Sequence, residues 1–203
     1  RSNVVISSNN SNQVATYDFT STDQITAYFS GSSQSPKITI SEINYHSASS
    51  QDAGDWIELH NYGNVDLDIS NWKLKDRNDY NAFTFPTGTV IDAGDYLVIS
   101  EDLIKFSAIF PQVNNVIGPM GFNLDNSGDV VRVFDYLDQN IIEADFDDNT
   151  PWPTGADGQG YTLELLSNTG NLNSSSNWFL GCMGGSPGRQ YSAPTANVSL
   201  SGP

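Results

Sequence analysis

The stretch that constrains the fold most is residues 55–61, which carry an aliphatic side chain at every second position in their middle. Side chains of a β-strand point to alternate faces, so this stretch predicts a strand with two different faces. One face would carry Ile57 and Leu59, and the other Trp56, Glu58 and His60. Gly54 before it and the turn-forming residues 62–64 after it mark its ends. The stretch therefore indicates a β-rich architecture.

Short apolar runs separated by turn residues continue along the rest of the chain. Gly, Ser, Asn, Asp and Thr are abundant, which is typical of short strands joined by many turns. In residues 38–45 the alternation shifts at Ser41, which indicates a β-bulge. Further strand-like runs lie at residues 65–69, 71–75, 83–85, 89–91, 96–100, 116–117, 121–124, 130–134, 141–146 and 161–166. Together these runs predict an all-β fold.

One helix is predicted directly after residue 100. Ser100 could cap it, Glu101 and Asp102 would lie in its first turn, and Pro111 would end it. Its apolar stripe would consist of Leu103, Phe106 and Phe110. A single short helix among many strands is expected to plug an open end of the barrel or sandwich.

The chain divides by composition into three parts. Residues 1–36 contain three strand-like runs, at 4–6, 14–19 and 25–29, and end in a Gly- and Ser-rich linker. This part would be the C-terminal remnant of a preceding β-domain, or a small β-ribbon, because three strands alone are near the lower limit of independent stability. Residues 37–190 form the main domain, and residues 191–203 have linker composition. The start at Arg1 indicates a piece excised from a longer protein.

The charge balance limits the classes of molecule that the chain is expected to bind. Eight basic and 24 acidic residues give a net charge of −16, which favours a soluble monomer with its acidic side chains in solvent. Nucleic acid and anionic membranes are not expected as partners, because both need clustered Lys and Arg. No apolar run approaches the roughly 20 residues that span a bilayer. The one cysteine, Cys182, cannot form an internal disulfide and is expected to be a small buried residue.

A series of motifs in order resembles a known family. The series consists of ISEINY (40–45), GDWIELHN (54–61), DISNWKL (68–74), FTFP (83–86), TVIDAGDYLVI (89–99), GFNL (121–124), NSGD (126–129), PWP (151–153) and GGSPG (184–188). Over residues 37–189 the chain is similar to the bacterial lamin-tail domain. The resemblance implies an immunoglobulin-like antiparallel β-sandwich within a secreted or cell-surface multidomain protein. It implies no catalytic residues.

One pair of carboxyl groups could support acid–base chemistry. Glu42 and Glu58 lie on strands that are expected to be neighbours, and two carboxylates about 5–9 Å apart can act on a sugar. In the alternative, each carboxylate accepts hydrogen bonds that hold a strand or loop in place. The alternative is favoured, so no catalytic residue is predicted.

Acidic loops offer candidate calcium ligands. Ca²⁺ takes six to eight oxygen ligands, commonly from such loops. Asp145, Asp147 and Asp148 crowd one strand end, while Asp125 and Asp129 flank a turn. These five are the candidate ligands of a structural calcium ion; otherwise they are solvated turn residues. No other cofactor is predicted, since two histidines and one cysteine cannot build a closed zinc site without carboxylates.

Aromatic residues could bind a glycan. Trp152 lies between two prolines in a loop, and with Trp56 and Glu58 it forms the predicted ligand-binding set. Trp152 could instead wedge its loop against the sandwich. The sequence favours a non-catalytic binding, adhesion or spacer module, which grips protein or glycan and positions neighbouring domains. The alternative is an accessory domain of an extracellular hydrolase, which a pocket lined by Glu42, Glu58 and an exposed Trp would favour.

Overall fold

The computed structural model describes residues 2–7, 14–19 and 35–191, and it divides the chain into two compact units, Arg1–Gln34 and Ser35–Pro203. In the first unit, β1 (Ser2–Ser7) pairs antiparallel with β2 (Val14–Phe19). Two of the three strands predicted there are thereby confirmed. The third, at residues 25–29, lies outside the described residues.

The second unit contains two larger sheets. Its strands are β3 (Ile38–Asn44), β4 (Trp56–Asn61), β5 (Leu67–Asp68), β6 (Lys73–Lys75), β7 (Ala82–Thr84), β8 (Val90–Ile91), β9 (Tyr96–Ser100), β10 (Val116–Ile117), β11 (Val130–Phe134), β12 (Asn140–Asp145), β13 (Leu163–Leu165) and β14 (Trp178–Leu180). The strand order is β10-β9-β4-β3-β13-β14 in one sheet and β12-β11-β6-β7 in the other. A further pair joins β5 and β8. Short 3₁₀ helices occur at Ser49–Gln51, Thr154–Ala156 and Ser175–Asn177.

The main core lies between these two sheets. The six-stranded sheet contributes Ile57, Leu59 and Ile99, and the four-stranded sheet contributes Leu74, Val131 and Val133, all fully buried. The predicted β-sandwich is therefore confirmed. One pairing departs from the antiparallel prediction, because β9 and β10 run parallel.

The bulge predicted at Ser41 is confirmed, since the register between β3 and β4 shifts between Ile40 and Glu42. The extra residue reverses the order of inward and outward side chains along the strand. Ile40 and Ile43 consequently both reach the main core, while Glu42 is directed to the outer face of the sheet. The acidic side chains on this outer face were predicted to lie in solvent.

The α-helix differs from the prediction at its start and in its location. It runs from Leu103 to Ile109 and is capped by Asp102, whose carboxylate accepts hydrogen bonds from the backbone N–H groups of Ile104 and Lys105. Ser100 is instead the last residue of β9. Phe106 and Phe110 pack against Trp56, so the helix covers the outer face of the six-stranded sheet rather than an open end.

The strand predicted at residues 121–124 was wrong. The N–H of Leu124 donates a 2.8 Å hydrogen bond to the side chain of Asp55. The N–H is thereby taken up by a carboxylate instead of a neighbouring strand, and the segment forms an irregular loop between β10 and β11. Its apolar side chains Phe122 and Leu124 still pack into the main core.

Asp102→Ala is expected to lower the free energy of unfolding by about 1 kcal/mol, because two N–H groups of the first helical turn lose their acceptor. Chemical denaturation measures the loss. Asp102→Asn keeps a capping oxygen and should lose only a small part of that stability. Equal losses in both variants would contradict the capping role.

Candidate functional site

Three glutamates form a row across the outer face of the six-stranded sheet. Glu58 on β4 is the cross-strand partner of Glu42 on β3, which is in turn the partner of Glu164 on β13. Their exposed fractions are 1%, 0% and 5%, respectively. We call these three residues the glutamate row. They are buried on the face that was predicted to leave acidic residues in solvent, and that prediction was wrong for them.

Residues 185–189, which we call the covering segment, lie over the glutamate row. The N–H of Ser186 donates to Glu42 Oε1 at 3.0 Å, and its hydroxyl donates to Glu164 Oε1 at 2.6 Å. The N–H of Gly188 donates to Glu58 Oε2 at 2.5 Å. Glycine at position 185 allows this approach, because a Cβ there would lie 2.5 Å from Glu42 Oε1. Each glutamate thus anchors the covering segment to the sheet.

The environment of the row favours protonated carboxyl groups. Burial raises the pKa of Glu58 to about 8, although hydrogen bonds from Ser41 and Gly188 oppose the rise. Burial, followed by the charges of Glu164 and Glu58, raises the pKa of Glu42 well above its usual value. Burial also raises the pKa of Glu164. The structure does bring Glu42 and Glu58 together, but beneath a covering segment, so it matches the hydrogen-bonding alternative rather than acid–base chemistry.

A second feature is a polar cavity of about 880 Å³. It is lined from the loop between β3 and β4, the start of the helix, the loop before β11 and the loop at residues 157–158. Its carboxyl groups belong to Asp52, Asp55, Glu101, Asp125 and Asp157, and its basic side chains are Lys105 and His46. We call it the acidic cavity, because carboxyl groups predominate in its lining.

Two polar contacts hold the rim of the acidic cavity. Lys105 Nζ donates to Asp52 Oδ2 at 2.8 Å, which lowers the pKa of that carboxyl group. His46 Nδ1 lies 2.6 Å from Asp157 Oδ1. These contacts join residues that are 53 and 111 positions apart in the sequence. The rim is therefore built by tertiary folding, and no local motif marks it.

Asp55 is the buried carboxyl group of the acidic cavity, with an exposed fraction of 8%. Burial raises its pKa to about 7, and the nearby charge of Glu101 adds to the rise, while the N–H of Leu124 opposes it. The sequence pattern places Asp55 at the start of the predicted strand 55–61. Its place at the head of β4, directly after Gly54, is what brings it to the cavity.

Four of the five candidate calcium ligands lie in loops, and the fifth, Asp145, is the last residue of β12. Asp129 accepts hydrogen bonds from the N–H groups of Arg77, Asp125 and Val130, and Asp125 accepts from Ser127. Asp147 and Asp148 accept from Asn149, and Asp145 lies 3.7 Å from Arg77 Nη2. Among the described residues, no three His, Cys, Asp or Glu side chains are grouped so that they could hold a metal ion.

The candidate ligand-binding tryptophan on the central strand is inaccessible. Trp56 has an exposed fraction of 0% and packs under the helix. Trp56 and the buried Glu58 were predicted to bind a ligand at the surface, but neither side chain lies there. Trp152 is half-buried, packs against the main core and lies 6.3 Å from the ring of Trp178. Trp152 thus wedges its loop against the sandwich, the alternative that the sequence left open.

The sequence of the chain matches the model of a known protein family. A family model described as Lamin Tail Domain matches residues 31–178, most of the length of the chain. A search of curated proteins finds no match. In the part of the chain that the structure describes, no helix has the length and apolar character needed to cross a membrane.

Proposed function

The chain belongs to the lamin tail domain family, so its sandwich is an immunoglobulin-like domain, and we propose on this basis that it is a non-catalytic module that binds basic side chains of a protein partner in the acidic cavity. The charge of the cavity lining is the observation that carries the proposal. Five carboxyl groups face one lysine and one histidine in a space of about 880 Å³.

The charge of the lining favours a cationic ligand group. A Lys ammonium or an Arg guanidinium entering the cavity would meet carboxylates already ordered by the loops. The overall charge of −16 would also attract a basic partner over distances comparable to the Debye length. Asp52 and Asp157 already contact basic side chains of the chain. Burial raises the pKa of Asp55 to about 7, so Glu101 and Asp125 would supply most of the attraction near neutral pH.

A glycan is the less favoured ligand for this cavity. Sugar rings stack on aromatic faces, and the lining of the acidic cavity, in the described part of the chain, contains no Trp, Tyr or Phe. The hydrolase alternative required an open pocket lined by Glu42, Glu58 and an exposed tryptophan. Both glutamates instead lie beneath the covering segment, which supports the binding module over the accessory to a hydrolase.

The resemblance to the bacterial lamin-tail domain supports a proposal on the kind of protein to which this module belongs. We propose a monomeric unit of a secreted or cell-surface bacterial protein, in which the domain adheres to a partner or spaces neighbouring domains. The surplus of acidic over basic residues supports a soluble module and opposes binding to nucleic acid or to an anionic membrane surface. Size-exclusion chromatography with light scattering tests the monomeric state.

Binding of a labelled Arg/Gly peptide, measured by fluorescence anisotropy, tests the proposal. The double variant Glu101→Gln, Asp125→Asn should bind about fivefold more weakly, because exposed ion pairs contribute about 0.2–1 kcal/mol each. The matched control is Glu143→Gln, Asp92→Asn, which removes the same two charges away from the cavity. It should retain most of the affinity.

Three results would contradict the proposal. Equal weakening by both double variants would mean that the peptide responds to net charge alone. Equal affinity for a Glu/Gly peptide would rule out recognition of basic side chains. Tighter binding of a neutral oligosaccharide than of the Arg/Gly peptide would identify the module as a glycan binder.

A further inference from the structure

The covering segment is attached to the domain through the glutamate row. Three of its hydrogen bonds, from Ser186 N–H, Ser186 Oγ and Gly188 N–H, end on carboxyl oxygens of the three glutamates. We propose that the covering segment is a proton-controlled latch, which stays on the glutamate row while the row holds protons and lifts when the row loses them. Among the residues that the structure describes, none lines both the acidic cavity and the spaces beside the latch, so this proposal is independent of the proposed function.

The register of the row limits how many of its members can be ionised together. Cross-strand partners have Cβ atoms about 4.5–5.5 Å apart, and like charges in that arrangement repel each other. Glu42 has such a partner on both sides, in Glu58 and in Glu164. The closed arrangement therefore disfavours simultaneous ionisation of all three carboxyl groups.

The hydrogen bonds that the covering segment donates to the glutamate row lower the pKa of its carboxyl groups, and so they oppose the raised pKa on which the latch depends. N–H groups that donate to a carboxylate favour its ionised form. Burial nevertheless outweighs these bonds for Glu42, Glu58 and Glu164, since the pKa of each is raised in the closed arrangement. When the segment lifts, water reaches the carboxylates and their pKa values return toward the ordinary value near 4.3. The closed form thus binds more protons, and raising the pH favours the open form.

Few other groups near the row change charge in the same range of pH. The titratable and charged side chains that face the row or share its small cavity are His60, Tyr96, Cys182, Arg189 and Tyr191. Burial lowers the pKa of His60, raises that of Tyr96 to about 12 and raises that of Cys182. Arg189 stays charged and favours ionised Glu164. Between about pH 6.5 and 8, the carboxyl groups of the glutamate row are therefore the groups beside the covering segment that exchange protons.

Space on both sides of the covering segment allows it to move. Pro187, Gly188 and Arg189 border a cavity of about 330 Å³, whose opposite side is formed by residues 112–115. Arg189 and Tyr191 border a second cavity of about 60 Å³ over Glu58 and Glu164. The segment is consequently held by its polar contacts to the row more than by close packing along its edges.

Amide hydrogen exchange measured by NMR tests the latch. Protection factors, corrected for the intrinsic pH dependence of exchange, are compared at about pH 6.5 and about pH 8. The Ser186 and Gly188 amides should lose about tenfold of their protection at the higher pH. The amide of Val131, in the centre of the main core, exchanges through global unfolding, so its protection factor should be the larger one at both pH values. Equal protection factors at all three amides would indicate exchange by global unfolding alone and would overturn the latch.

Glutamine variants separate the protons of the row from other causes. Glu58→Gln keeps the shape of the side chain without an ionisable group, so its Gly188 amide should remain protected at about pH 8. Glu164→Gln provides the same test if Glu58→Gln does not fold. Glu143→Gln, on β12 away from the row, is the matched control and should behave as the unaltered protein does. An unaltered pH dependence in the row variants, or none in the unaltered protein, would overturn the proposal.

Discussion

Replacing Trp56 with alanine is expected to lower the free energy of unfolding by about 3–5 kcal/mol, the usual loss for a large aromatic side chain removed from a core. Trp56 has an exposed fraction of 0% and lies edge-on to Phe106 and Phe110, with ring centroids 5.9 and 6.0 Å away. Its indole N–H has no hydrogen-bond partner among the described residues, so the loss arises from packing. Denaturation in guanidinium chloride, followed by circular dichroism, measures it.

An exposed aromatic residue provides the control for Trp56. Tyr80 has an exposed fraction of 96%, and Tyr80→Ala should change the free energy of unfolding by less than about 0.5 kcal/mol. A loss below about 1 kcal/mol for Trp56→Ala would show that the helix does not depend on this contact, because so small a change is typical of a surface position. It would then contradict the packing of Phe106 and Phe110 against Trp56.

The inner face of the sandwich could be predicted from sequence because it is decided locally. Alternation along each strand places Ile57 and Leu59 on one side. The extra residue at Ser41 reverses the alternation of β3, so that Ile40 and Ile43 both face the main core. Neither conclusion requires knowledge of a distant segment. The motifs that resemble the lamin-tail domain lie on these same strands and turns, and the family match bears the resemblance out.

The outer face could not be predicted in the same way. Alternation shows that Trp56 and Glu58 share a face, but it does not show whether water or protein covers that face. The cover over Trp56 comes from Phe106 and Phe110, and the cover over Glu58 comes from Gly188, 130 residues along the chain. Burial of these residues depends on long-range packing, which strand periodicity does not encode.

The expectation that acidic residues lie in solvent was wrong at several positions, because the burial of a carboxyl group can be offset in two ways. A buried carboxyl group is tolerated where hydrogen-bond donors reach it or where it keeps a proton. Asp129 illustrates the first case, with three backbone N–H donors, and the glutamate row illustrates the second. The Gly-rich residues 184–188 were a signal in the sequence, because chain without bulky side chains can bring its N–H groups close to a carboxylate.

The second large effect is expected at Gly185, where alanine should lower the free energy of unfolding by about 2–5 kcal/mol. Its φ of +86° is a conformation that costs a residue with a Cβ about 1–2 kcal/mol. Its Cβ would also lie 2.5 Å from Glu42 Oε1 and 2.9 Å from Trp56 Cζ2. Crowding of a packed interior adds about 1–3 kcal/mol. Thermal and chemical denaturation measure the total.

The neighbouring glycine separates the two contributions. Gly184 has nearly the same φ, +85°, but a Cβ there would meet only Gln51 Oε1, at an ordinary 3.5 Å. Gly184→Ala should therefore show the backbone cost alone, about 1–2 kcal/mol, with the covering segment still in place. The difference between the two variants reports how closely the segment approaches Glu42 and Trp56. Equal losses would mean that the segment does not press on the glutamate row, because the crowding that distinguishes Gly185 would then be missing.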